Sequence, residues 1–112
     1  MTSQLREAVR AAQDRKALEL DVLNLEGISS FTDYFLICTG TSTRHTRAIC
    51  DAISEGLEEK GVSAAHIEGY SQAEWILLDY IDFVVHIFSE RARQFYDLER
   101  LWKTAERVSI EG

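Results

Sequence analysis

The sequence contains no proline and only six glycines in 112 residues. Proline interrupts helices and central strands, and glycine supplies the left-handed turns that many-stranded β folds use. A chain so short of both favours compact elements with few irregular loops, and a helical or mixed fold over an all-β sandwich. Cysteine is scarce as well. Cys38 and Cys50 sit inside apolar patterns, at a spacing that matches neither a zinc ribbon nor a redox pair. Both read as buried free thiols of a reducing compartment. No apolar run has the length of a membrane span. Met1-Thr2-Ser3-Gln4-Leu5-Arg6-Glu7 is too polar for a secretory signal, so the expected location is cytoplasmic. Basic residues are outnumbered, 12 against 19 acidic, for a formal charge of −7. That balance is a poor match for a phosphate backbone, and direct nucleic-acid binding is not expected. A basic protein partner fits the charge, and so does simple solubility.

What is present is an ordinary globular composition: 46% apolar and 28% charged residues, enough for one domain over residues 1–112. Leu5, Ala8, Val9 and Ala12 fall at helical spacing after a capping Thr2 or Ser3. The stripe is narrow, so this helix is expected to pack weakly. Leu18, Leu20 and Val22 then alternate with Glu19 and Asp21, which predicts a half-exposed strand with an acidic outer face. Leu23 to Thr32 breaks both periods and reads as a long surface connection. Tyr34 to Thr39 is a continuous apolar run, as in a strand covered on both faces. Ser42 caps a helix whose apolar face is Ile49, Ala52, Ile53, Gly56 and Leu57, and Gly61 stops it. Ser63 to Glu68 is a weaker strand, and the strand–helix–strand order suggests a right-handed parallel crossover. Trp75 to Leu78 and Phe83 to Phe88 read as strands joined by a tight hairpin. Ser89 and Asp97 start two short helical turns, and residues past Arg107 are expected to fray. The sum is a single α/β domain with one mixed sheet of about five strands and flanking helices.

Candidate chemistry is thin. Gly40-Thr41-Ser42, between a buried strand and a helix, could offer amides to a phosphate, but it lacks a P-loop lysine and a dinucleotide fingerprint. A plain strand-to-helix turn explains it. Asp33, Asp79 and Asp82 invite a two-metal reading, which needs carboxylates converging on ions about 4 Å apart. Asp79 and Asp82 lie three residues apart across a turn, where strand geometry does not aim them together, and aspartate suits turns anyway. His45, His66 and His86 show no ligand spacing, and no serine or cysteine has a recognisable base. No catalytic, metal or cofactor set emerges. Trp75, Tyr80, Tyr96 and Trp102 are either interface aromatics or core residues.

Taken together, several segments resemble the ribosomal silencing factor family, also called Iojap-like. They are Leu20-Asp21-Val22, Ser29-Ser30-Phe31-Thr32-Asp33-Tyr34 through Ser42, Glu68-Gly69, Trp75 through Tyr80, Asp82 through Phe88, and Arg93 through Trp102. The match runs in unbroken order from Lys16 to Lys103, taken as the core of the domain. The resemblance implies a domain shaped like a nucleotidyltransferase core without that activity. It also implies binding to the large ribosomal subunit through the basic ribosomal protein L-fourteen, a block on subunit joining that represses translation, and homodimers away from the ribosome. An active metal-dependent nucleotidyltransferase, or a domain with a non-ribosomal protein partner, are the alternatives. For the ribosomal reading, Trp75, Tyr96 and Trp102 are the candidate aromatic anchors, and Asp79, Asp82 and Glu99 the candidate partners for lysine or arginine. One departure stands out. The family pattern has glycine where this chain has Ile81, and a β-branched residue is an outlier at positive φ. A different turn type is therefore expected, with Tyr80 or Ile81 partly exposed.

Overall fold

A computed structural model describes residues 1–110. The elements, in chain order, are α1 (Ser3–Asp14), β1 (Leu18–Asn24), β2 (Tyr34–Gly40), α2 (Thr43–Glu58), β3 (His66–Glu68), β4 (Trp75–Asp79), β5 (Phe83–Ser89), α3 (Glu90–Tyr96), α4 (Leu98–Leu101) and β6 (Glu106–Val108). The strands form one mixed sheet of six, in the order β3-β4-β5-β2-β1-β6. The expected five become six because the tail, expected to fray past Arg107, supplies β6, which pairs antiparallel with β1 from Val22 to Asn24. Residues 111–112 of that tail lie outside the described residues. Among the described residues, only β2 and β5 pair in parallel. β3 runs in the same sense as β2, but β5 and β4 stand between them.

The two faces of the sheet are covered unequally. One face, carrying Val22, Leu36, Cys38, Ile76, Leu78, Val85 and Ile87, lies under α1 and α2. Ser42 caps α2 by accepting from His45 N at 3.0 Å, and Gly61 follows the helix at φ 78°. The expectation that α1 packs weakly is overturned: Leu5, Ala8, Val9, Ala11 and Ala12 are all buried. Small side chains let α1 and α2 approach closely. A Cβ on Gly56 would stand 3.2 Å from Glu7 Oε2. The other face carries Leu23, Phe35, Ile37, Val84 and Phe88, and only α3, α4 and the loop after β1 cover it.

β1 departs from simple alternation. Its register slips between Leu18 and Asp21, where Glu19 takes φ 49°. The bulge re-aims the strand. Leu18 turns outward, and Asp21 is not on an open acidic face but meets the Arg93 guanidinium at 3.0 Å. Arg93 is itself buried. Its Nη1 donates to Glu19 O (2.7 Å) and Thr39 Oγ1 (3.0 Å), and its Nη2 to Asp21 Oδ2 and Glu99 Oε2 (2.8 Å). The strand also extends further than the alternation suggested, and Leu23 and Leu25, assigned to a surface connection, are core residues.

The β4–β5 hairpin keeps a left-handed residue at its tip, against the expectation of another turn type. Ile81 has φ 72°, and Asp82 N donates to Tyr80 O at 2.8 Å, which closes a γ-turn around Ile81. Asp79 Oδ1 accepts from Ile81 N at 2.8 Å and supports the strained backbone. The expected exposure holds for Ile81, at 61%, while Tyr80 is buried against Phe83.

Two stability outcomes follow. Removing the guanidinium in Arg93→Ala leaves Asp21 and Glu99 without their buried partner and should cost about 3 kcal/mol in urea unfolding. Ile81→Gly should stabilise by about 1 kcal/mol, because relief of the β-branched strain exceeds the entropic cost of glycine, and should raise the melting temperature by about 4 °C.

Candidate interaction face

The thinly covered face is where the candidate side chains gather. Trp75 and Asp79 share it by alternation along β4, with Leu77 between them. Register places His66 and Glu68 of β3 on the same side, opposite Asp79 and Leu77. Tyr96, at the end of α3, lays its ring 4.6 Å from Trp75 and is 49% exposed. Trp102, just past α4, meets Phe35 edge-on at 5.7 Å and Phe31 at 6.3 Å. Glu99 stands on α4, but its carboxylate is committed to Arg93 through Nε (3.0 Å) and Nη2. Asp82 is exposed at the hairpin tip, at the edge of this face. Sequence reasoning had not singled out Phe31, Phe95 and Leu101, all well exposed next to these rings or on the same helices. Their apolar character looks like core until the helix ends are placed.

Beneath the aromatics lies His86. Trp75 Nε1 donates to His86 Nδ1 at 3.0 Å. An indole N–H can only donate, so Nδ1 is unprotonated and the neutral ring carries its proton on Nε2. The ring meets Phe35 edge-to-face at 4.5 Å, and Nε2 has no hydrogen-bond partner among the described residues. Burial lowers the His86 pKa to about 3. This bond fixes the indole angle that the face presents.

The other candidates do not assemble. The Gly40-Thr41-Ser42 turn caps itself: Thr41 N donates to His45 Nδ1 (2.9 Å) and Thr46 N to Ser42 O (2.9 Å). Gly40 is needed because a Cβ there would lie 2.7 Å from Thr46 Cγ2, so close helix packing explains it without a ligand. Asp79 turns toward the hairpin backbone while Asp33 lies on the loop after β1. Among the described residues, no group of three or more histidine, cysteine, aspartate or glutamate side chains could hold a metal ion. Cys38 and Cys50 are buried, and desolvation pushes both thiols up to about 12, which makes them unreactive. No described helix is long and apolar enough to cross a membrane. A cavity of about 490 Å³ lies between α1 and the chain after β6, away from the aromatic face.

The buried neutral histidine gives a pH dependence. Its folded pKa lies below the unfolded value near 6.5, so the unfolded chain binds more protons between the two. Stability therefore falls as pH drops from about 6.5 toward 3. Between pH 7 and pH 5 the His86 share of the loss should be about 2 kcal/mol, and His86→Phe should flatten that part of the profile in urea unfolding.

Comparison with known proteins gives a consistent result. The family described as "Ribosomal silencing factor during starvation" matches residues 1–112. The chain is 43% identical to "Ribosomal silencing factor RsfS" of Halalkalibacterium halodurans, over 94% of this chain and 90% of that protein. It is 38% identical to the protein of the same name in Bacillus subtilis, over 96% and 91%. It is also similar to mouse "Mitochondrial assembly of ribosomal large subunit protein 1", at 30% identity over 84% of this chain and 42% of that one. Among solved structures, a Chromobacterium violaceum protein aligns with a TM-score of 0.87 at 30% identity, covering 100% and 94% of the two chains. A Bacillus halodurans protein aligns at 0.85 and 40% identity, covering 95% and 96%. This chain belongs to the ribosomal silencing factor family.

Proposed function

We propose that this cytoplasmic chain binds the large ribosomal subunit through ribosomal protein L-fourteen, using the face built from Trp75, Asp79, Tyr96 and Trp102 with Asp82 at its edge, and blocks joining of the small subunit by bulk. Family membership supports a ribosomal partner. The observation that carries the choice of face is the gathering of half-exposed tryptophan and tyrosine rings beside carboxylates on the sheet face that only the short helices α3 and α4 and a loop cover. Aromatic rings supply area with a polar handle, and carboxylates suit a basic protein. Asp82 is a free acceptor, and Asp79 keeps Oδ2 available beyond its bond to Ile81 N. Glu99 reaches a partner only by sharing its carboxylate with Arg93. No chemistry is needed, because a compact domain of 35 × 34 × 27 Å on the joining surface excludes the other subunit. Away from the ribosome the same apolar face is the surface on which a homodimer would form.

Sucrose-gradient sedimentation with free large subunits tests the reading, followed by light scattering as small subunits are added. The wild-type chain should travel with large subunits and suppress joining. Trp75→Ala and the double variant Asp79→Lys/Asp82→Lys should each weaken binding by about 30-fold or more, the range for truncating or reversing a desolvated contact. A charge-reversed variant that still binds normally would remove the electrostatic part. A wild-type chain that leaves joining untouched would remove the whole.

A further inference from the structure

At the end of the sheet that carries the β4–β5 tip, the loop after β1 folds against that tip. Asp33 N donates to Asp82 O at 3.1 Å, a backbone bond that ties the two loops, and Leu25 N donates to Asp33 O at 2.7 Å within the first of them. Between them opens a cleft of about 140 Å³, lined by Phe31, Thr32, Asp33, Ile81 and Asp82 among others. Phe31 and Ile81 are 62% and 61% exposed, an apolar side chain contributed by each loop. Asp33 and Asp82 are exposed, and neither makes an ion pair among the described residues. Thr32 is only 4% exposed, yet its Oγ1 has no hydrogen-bond partner among the described residues. A buried hydroxyl left unpaired is unfavourable, and so is a β-branched residue at positive φ. Both costs fall in this one cleft. The Phe31–Trp102 contact makes the cleft continuous with the aromatic face.

We infer that this cleft is a socket for a single lysine or arginine side chain of the protein partner. The inference rests on the basic-partner reading above and specifies how that partner engages. The aliphatic stem lies between Phe31 and Ile81, the cationic head sits by the Asp33 and Asp82 carboxylates, and one of its N–H groups donates to Thr32 Oγ1. The volume suits one long side chain and is well below the several hundred Å³ of a small-molecule pocket. The paired carboxylates repel anions, so a phosphate-bearing ligand is excluded. Ile81, where glycine would relax the turn, contributes the apolar wall that glycine lacks.

Amide chemical shifts of the isotope-labelled full chain, titrated with N-acetyl-lysine methylamide, test this directly. The arginine analogue is a second arm, and the norleucine analogue reports the stem without its charge. Lysine or arginine should shift amides within residues 29–33 and 80–83, and norleucine at equal concentration should not. Asp33→Asn/Asp82→Asn should abolish the shifts, and the near-isosteric Thr32→Val should weaken them while the remaining spectrum stays native. In sedimentation, the asparagine double variant should bind large subunits about 10-fold more weakly, with a shallower salt dependence. Equal responses to all three probes, no response at these amides, or full large-subunit affinity in the double variant would overturn the socket even where the wild-type chain binds large subunits. A wild-type chain that takes lysine here but ignores large subunits would instead overturn the ribosomal reading and keep the socket.

Discussion

The exposed half of this protein is organised around one buried cation. Arg93 joins the β1 bulge, the end of β2, and both short helices through its bonds to Glu19 O, Thr39, Asp21 and Glu99. Asp21 then passes the link to β6 through Arg107 at 3.1 Å. A buried guanidinium is tolerable only when its donors are well matched, and here the matching partners come from distant parts of the chain. Apolar packing under α3 and α4 is limited to residues such as Ala92 and Leu98. The ion cluster therefore decides where Tyr96 and Trp102 stand, and with them the shape of the aromatic face.

The unequal covering of the sheet separates stability from recognition. On the α1/α2 side, closely packed aliphatic residues form the larger core. On the other side, aromatic rings bridge between strands and short helices, and Trp75, Tyr96 and Trp102 among them are only partly covered. Rings suit that position because two torsions fix a large area, so little entropy is lost when a partner finishes the burial. His86 adds rigidity: being neutral, it can accept a hydrogen bond from the Trp75 indole inside an apolar layer without burying a charge. Recognition then requires little rearrangement of the backbone.

Much of this was legible in the residues. The apolar run of β2, the hairpin strands β4 and β5, and the Ser42 cap and Gly61 stop of α2 were all marked by local pattern, and the structure keeps them. What escaped is non-local. Nothing in Arg93 announces that it is buried, because its partners lie on β1, β2 and α4. The bulge at Glu19 has no glycine to signal it, and nothing local to Asp21 shows that Arg93 closes the face it lies on. Alanines made the α1 stripe look weak, although small side chains are what allow close helix approach. Ile81 holds φ 72° because Asp79 and the flanking pair of strands impose it, against its own preference. The candidate anchors were recognisable as residues, but their sharing of a face depended on register that one sequence does not display.

The short strand β6 carries a consequence for solubility. β1 is seven residues long and would otherwise present Val22, Leu23 and Asn24 as an open row of backbone donors and acceptors beside an apolar surface. Such an edge templates pairing between chains. Glu106 and Arg107 close it with a strand too short and too charged to recruit a further copy with ease. β6 thus acts as the guard on this margin of the sheet, and the domain stays dispersed because its most apolar edge is already paired.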